Sequence, residues 1–178
     1  MREYEAGIIH TERRGPSYLL IELDCPDIAR TAVPGQFVQV RVSRGADPFL
    51  RRTFSISGCD QPLGAIRLAV DVVGRGTELL CSEKRGGSLN IIGPLGKGFG
   101  TDTCGCGRIV LVAGGIGAAP LLFLAWTLAP HAKDRMDFIM GARTAAHHTL
   151  IDRVIPDGVR VLSSSTMKGG TARGIRRD

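Results

Sequence analysis

Three short stretches carry residue types whose spacing suits the grip of a phosphate-bearing ligand. The first is Arg51-Arg52-Thr53-Phe54-Ser55-Ile56-Ser57. On a strand Arg52 and Phe54 share one face, with Ser55 opposite. A guanidinium, an aromatic ring and a hydroxyl this close together can clamp a pyrophosphate, cover a flat ring and donate to a heteroatom. The same residues also read as a plain barrel strand with a solvated arginine and a core phenylalanine. The second stretch is Val72-Val73-Gly74-Arg75-Gly76-Thr77, where two glycines let backbone curl round an anion and Thr77 starts a helix as its N-cap. A tight strand-to-helix turn with a routine cap is the competing reading.

The third stretch runs from Arg108 to Ala129 and organises the chain. Ile109, Val110, Leu111 and Val112 are aliphatic without alternation, the pattern of a parallel strand covered on both faces. Gly114, Gly115, Ile116 and Gly117 follow at once, and Pro120 falls in the first turn of a helix that runs to about Leu128. Backbone N–H groups at such a turn point into open space with the helix dipole behind them, which favours a phosphate. The spacing Gly115-x-Gly117-x-x-Pro120 departs from G-x-G-x-x-G, and no acidic residue stands at ribose-binding distance after it.

Two different architectures must hold these stretches. Runs at Ala6–Thr11, Tyr18–Leu23, Gln36–Val42, Thr53–Ser57, Ile66–Val72 and Ser88–Ile92, separated by glycine and proline turns, predict an antiparallel β-barrel. In Phe37–Val42, Phe37 or its alternates face the core while Gln39 and Arg41 face out. One helix, Thr77 to a glycine stop at Gly86, interrupts the series. From residue 109 the period changes to strand 109–113, helix 117–128, strand Asp137–Met140, helix Thr144–Val154 and strand Val159–Leu162. That alternation predicts an α/β parallel-sheet domain. The expected domains are 1–100 and 101–178, the second incomplete because Ser163 to Asp178 offers no further apolar strand.

In order and separation, these motifs resemble the ferredoxin reductase superfamily of flavoproteins, and within it the electron-transfer subunit of dihydroorotate dehydrogenase. Arg52-Thr53-Phe54-Ser55 is similar to that family's Arg-x-Tyr/Phe-Ser motif, and Gly74-Arg75-Gly76-Thr77 to its Gly-x-Gly-Thr motif. Gly93 to Phe99 is similar to its Gly-Pro-Leu-Gly-x-Gly-Phe segment, Gly114 to Pro120 to its Gly-Gly-Ile-Gly-x-Ala-Pro turn, and Gly141-Ala142-Arg143-Thr144 to its next strand end. The resemblance implies a barrel that binds FAD, with Arg52 on the phosphates, Thr53, Phe54 and Ser55 along the flavin, and Ser55 near its N5. Gly74 to Thr77 would lie at the pyrophosphate, and Gly114, Gly115, Ile116, Gly117 and Pro120 on the NAD(H) side. It implies no catalytic acid or base, because hydride transfer needs placement rather than proton transfer.

The implied partner is an FMN-containing dihydroorotate dehydrogenase catalytic subunit of pyrimidine synthesis, with a homodimer left open. A generic NAD(P)H-dependent flavin or ferredoxin reductase is the alternative enzyme, and a non-catalytic flavin-binding remnant or assembly protein the alternative class. The family also carries a [2Fe–2S] centre on four cysteines after the dinucleotide domain, yet no cysteine follows Cys106 here. Cys104-x-Cys106 is too closely spaced to replace it and reads as a loop pair. The chain is therefore expected to be truncated or frame-shifted, with the dinucleotide side damaged.

Composition narrows the field further. A net charge of +6, partly from Lys168, Arg173, Arg176 and Arg177, lacks the interleaved aromatics of a nucleic-acid binder. Five cysteines form no even disulfide framework, and the N-terminus has no signal-peptide core. The apolar run around the glycine turn is expected to fall short of a membrane span. A cytoplasmic protein is the reading. His147-His148 is expected on a helix in solvated positions, and the single Trp126 as a packing residue.

Overall fold

The computed structural model describes residues 2–43, 45, 47–102, 107–151, 154–166 and 173–175, the last three as backbone. Cys104-x-Cys106 and the basic residues Lys168, Arg176 and Arg177 lie outside the described residues.

Six antiparallel strands close into a barrel: β1 (Arg2–Arg14), β2 (Tyr18–Asp24), β3 (Phe37–Arg41), β4 (Arg52–Asp60), β5 (Ala65–Asp71) and β6 (Ser88–Leu95), in the order β1-β2-β5-β4-β3-β6. Every strand expected from the sequence is present, extended at most ends by its ladder partners. Val38, Val40 and Val42 fill the interior with Ile21, Leu23, Ile56, Ile66, Leu68 and Ile91, whereas Phe37 shares the outer face of Gln39 and Arg41. Two short helices decorate the barrel, α1 (Pro26–Thr31) and α2 (Arg75–Leu80). Six residues of α1 give no legible helical period, but Pro26 opens it and Ile28 and Ala29 bury in the barrel core.

A four-stranded sheet follows, in the order β10-β9-β8-β7: β7 (Ile109–Gly114), β8 (Met136–Ala142), β9 (Arg160–Ser165) and β10 (Arg173–Ile175). The first three are parallel. The fourth is antiparallel to β9, so the expectation of no strand after Leu162 is corrected. Three residues with one β-neighbour are too short to show as an apolar run. A helix, α3 (Ala118–Ala132), crosses from β7 to β8 and runs past the expected stop, through Pro130. That ring forfeits one late bond, but the Lys133 N–H still reaches the Ala129 carbonyl. The segment expected as a helix from Thr144 is instead a 3-10 turn, Ala145–Leu150, with i→i+3 bonds from His147 and Ile151.

Among the described residues, one face of the parallel sheet is covered and the other is open. Leu111 and Ala113 pack under α3, while Val110 and Val112 on the other face are 50% and 66% exposed. The expectation of a strand covered on both faces is therefore corrected: among the described residues, α3 and the 145–150 turn both lie on the Leu111 side.

Helix α3 joins the two cores. Phe123 inserts into the barrel cluster, whereas Leu122, Ala125 and Leu128 pack with Phe138 and Met140 of β8; Tyr18 and Ala69 of the barrel reach into that second cluster. This interlock fixes the seam between barrel and sheet. With its flanking 3-10 turns the helical run is Gly115–Arg135, 21 residues, long and apolar enough for a membrane span. The expectation of a run too short to span is therefore corrected, because the glycine turn continues the helical run rather than breaking it, and half of the apolar window is buried within this fold.

At the amino-terminal end of the interior strand β8, Asp137 is 4% exposed and accepts from Arg108 Nη1 at 2.8 Å and from Arg160 Nε and Nη2 at 2.7 and 2.8 Å. The Arg160 hydrogen bond, ahead of the charges around it, holds the Asp137 carboxyl below its ordinary range. One carboxylate thus ties the starts of three parallel strands together.

Candidate functional site

Arg52 opens β4, and its placement explains the glycine turn opposite. Its Nη1 donates to the Leu50 carbonyl at 2.7 Å. Its Nε and Nη2 lie so close to Gly76 that a Cβ there would sit 3.0 and 3.3 Å from them. A side chain at that position would push the guanidinium away by a few tenths of an ångström. Thr77 is not the N-cap expected from the sequence. Gly74 occupies that place, and Thr77, at the third helical position, turns its hydroxyl back to accept from the N–H groups of Val73 and Gly74 at 3.0 and 3.2 Å. A threonine reaches a cap backbone from either end of the first turn, and the chain uses the later one. With the Thr77 N–H on the Gly74 carbonyl, the first-turn donors left for an outside acceptor are those of Arg75 and Gly76.

A cavity of about 400 Å³ opens beside this cradle. Arg52, Thr53, Phe54, Ser55, Val73 and Thr77 line its barrel side, and Ile116, Gly117 and Pro120 its helix side. Phe54 also packs against the barrel core, as the packing reading of that ring expects. Pro120 takes the third position of α3, where its missing N–H breaks no intrahelical bond.

A second cavity of about 360 Å³ sits at the carboxyl ends of β7, β8 and β9, where open parallel sheets bind ligands. Gly114, Gly115, Arg143, His147, Ser164 and Thr166 line it with Tyr18 and Asp71. Asp71 borders both cavities and accepts from Ser17 Oγ at 2.5 Å. The Tyr18 phenol is pushed up, first by burial and then by Asp71, against a smaller opposing pull from Arg143. Gly115 has φ +51°, which L side chains rarely adopt, and faces Tyr18 Oη.

The structure therefore gathers eight of the sequence-derived residues in one cavity: Arg52, Thr53, Phe54, Ser55, Thr77, Ile116, Gly117 and Pro120. Gly114 and Gly115 fall in the second, and Gly76 lies under Arg52. Gly74 and Arg75 line neither: Gly74 caps α2, and Arg75 Nη1 pairs with Asp47 Oδ2 at 2.5 Å. Sequence reasoning did not single out Asp71, Tyr18, Ser164 or Thr166. Their shared signal is position, at a barrel strand end and at the carboxyl ends of parallel strands. His147 and His148 are half-buried rather than solvated: His147 Nδ1 lies 2.7 Å from Thr144 Oγ1 and its ring meets Tyr18 edge-on at 5.7 Å.

Among the described residues no three His, Cys, Asp or Glu side chains come together as a metal site. Burial pushes the Cys25 and Cys59 thiols up, which leaves them poor ligands and nucleophiles.

A closed antiparallel barrel joined by one helix to a parallel sheet, with a glycine turn facing an arginine strand across the seam, is the ferredoxin-reductase fold. Solved structures agree: the NADH-dependent reduced ferredoxin-NADP oxidoreductase matches with a TM-score of 0.81 and 24% identity, over 97% of this chain and 60% of that one. The ferredoxin reductase of carbazole 1,9a-dioxygenase matches with 0.80 and 23%, over 97% and 53%. No family model matches the chain. In sequence it is homologous to the electron-transfer subunit of dihydroorotate dehydrogenase B (NAD(+)). It is 44% identical to that subunit from Desulforamulus reducens over 140 residues, 79% of this chain and 53% of the relative. The Geobacillus thermodenitrificans subunit is 42% identical over 103 residues, 57% and 40% respectively. The chain thus spans about half the length of these curated relatives or less.

Proposed function

We propose that the protein is an electron-transfer flavoprotein subunit that accepts reducing equivalents from NADH on FAD and passes them to an FMN-containing dihydroorotate dehydrogenase catalytic subunit in the cytoplasm. Residues 1–100 form the FAD unit and 101–178 the dinucleotide unit. The observation that carries this reading is the single cavity in which Arg52 to Ser55 meet Ile116 to Pro120.

The residues fit FAD. Gly76 leaves room for the Arg52 guanidinium, and together with the N–H groups of Arg75 and Gly76 it offers a diphosphate a charge-assisted donor set. Phe54 and Ser55 then border the space for a flat ring, on the side facing Gly117 and Pro120. The second cavity suits the dinucleotide, with Arg143 for its phosphates and the Gly114–Gly115 backbone close enough to touch them. Bound FAD supplies the acceptor of a hydride and the donor of single electrons; the chain's own share is to hold two ligands against one another across Asp71 and exclude water between them.

The ferredoxin-reductase likeness of the fold favours a second reading, an NAD(P)H-dependent flavin or ferredoxin reductase with another acceptor. The test is NADH oxidation by FAD-loaded protein, first with ferricyanide and then with oxidised dihydroorotate dehydrogenase catalytic subunit. Turnover with both supports the proposal. Turnover with ferricyanide alone favours the second reading, and turnover with neither leaves a non-catalytic flavin-binding protein.

A further inference from the structure

A third cleft lies away from both cavities, where the barrel's β4–β5 end meets the carboxyl-terminal half of α3. It encloses about 780 Å³, within the size range of small-molecule sites. Trp126 on its wall stands six residues beyond Pro120, roughly 9 Å further along the helix axis. The proposed electron path uses none of it.

Two aromatic rings in this cleft are fixed yet half-exposed, Trp126 at 49% and Phe99 at 43%. Trp126 Nε1 donates to the Val154 carbonyl at 2.6 Å. The Phe99 N–H donates to the Pro34 carbonyl at 2.8 Å, and Gly35 backs the ring so closely that a Cβ would meet it at 3.1 Å. Rings already held in place lose little freedom when a planar ligand covers them. Arg67 supplies the cation. Its Nε donates to Glu22 Oε1 at 3.0 Å, and no other acceptor engages its guanidinium among the described residues. The acids nearby are already engaged: Glu22 by Arg67, and Asp60 Oδ1 by the Leu63 N–H at 3.0 Å. Asp60 and Gln61 remain on the rim with polar atoms that match the edge of a heterocycle.

The geometry points to a third ligand site, for a planar heteroaromatic ring bearing one anionic group, a nucleoside monophosphate. The base covers Trp126 and Phe99, and the phosphate reaches the Nη groups of Arg67.

Trp126 is the chain's single tryptophan, so its fluorescence reports this cleft directly. In the test, AMP and UMP are titrated separately into FAD-loaded full chain, which keeps the flavin cavity filled. The expected result is a saturable change in Trp126 emission with at least one of them, weakened about tenfold in Arg67→Gln and partly restored in Arg67→Lys. Arg143→Gln leaves it unchanged, and Trp126→Phe, followed by calorimetry, binds several-fold more weakly. Three results would overturn the inference: no saturable change with either nucleotide up to about 10 mM, an affinity indifferent to Arg67→Gln or to Trp126→Phe, or a loss of binding in Arg143→Gln, which would seat the nucleotide at the strand ends instead.

Discussion

Replacing Gly76 with alanine isolates the contact between the turn and the arginine strand. Gly76 has ordinary helical geometry, so the new Cβ strains no backbone and raises helix propensity by up to about 1 kcal/mol. The three atoms nearest to it all belong to the Arg52 guanidinium, at 3.0 Å for Nε, 3.3 Å for Nη2 and 3.4 Å for Cζ. Ordinary van der Waals contact requires the guanidinium to move by about half an ångström, enough to weaken a charge-assisted phosphate contact by about 1 kcal/mol. FAD affinity should therefore fall about fivefold in Gly76→Ala. Arg52→Ala removes the contact altogether, about 2 kcal/mol or about 30-fold. Because the alanine acts only through Arg52, the double variant should bind FAD no more than about twofold worse than Arg52→Ala, whereas independent effects would multiply to about 150-fold. FAD titration by calorimetry on the four proteins, with melting temperatures as the control for folding, reads the cycle. Multiplicative losses, or wild-type affinity in Arg52→Ala, would refute the assignment of Arg52 to the phosphates.

Thr77→Val strips the acceptor from the Val73 and Gly74 N–H groups, and should lower stability by about 1–2 kcal/mol in denaturant titration and weaken FAD binding with it. Gly115→Val forces a β-branched residue to φ +51° at a strain of about 1–2 kcal/mol beside Tyr18; the KM for NADH should rise while FAD affinity holds. Asp137→Asn should lower Tm by several degrees at neutral pH. The folded-state pKa of Asp137 is depressed, so the stability it contributes is present above the ordinary carboxylate range and is lost as pH falls through the depressed value. The Tm gap between wild type and Asp137→Asn should therefore close in acid, and a gap constant with pH would argue against the ion pairs.

Much of this arrangement is legible in the chain because it rests on backbone geometry. Gly114 to Pro120 announces a strand, a turn and a helix in sequence, and six spaced β-rich runs announce the barrel. What the sequence hides depends on distance along the chain. Asp71 looks like any strand-ending aspartate until β5 is seen to pair with β2, which sets it opposite Tyr18 and between the two cavities. Thr77 satisfies the N-cap preference by residue type, but the hydrogen bonds place it three residues later. Helix α1 and strand β10 are too short for any period to emerge. The aliphatic run of β7 suggests two covered faces, yet such a run records only that the strand is apolar, not which layers lie over it.

The central claim is that a dinucleotide at the glycine turn reaches a flavin held by the Arg52 strand. Its most direct test is the visible flavin absorbance of protein whose FAD occupancy has first been measured, followed without oxygen after one equivalent of NADH. The account predicts that the flavin band bleaches in wild type and bleaches more slowly in Gly115→Val at the same FAD occupancy. An unchanged band on fully loaded wild-type protein would contradict it.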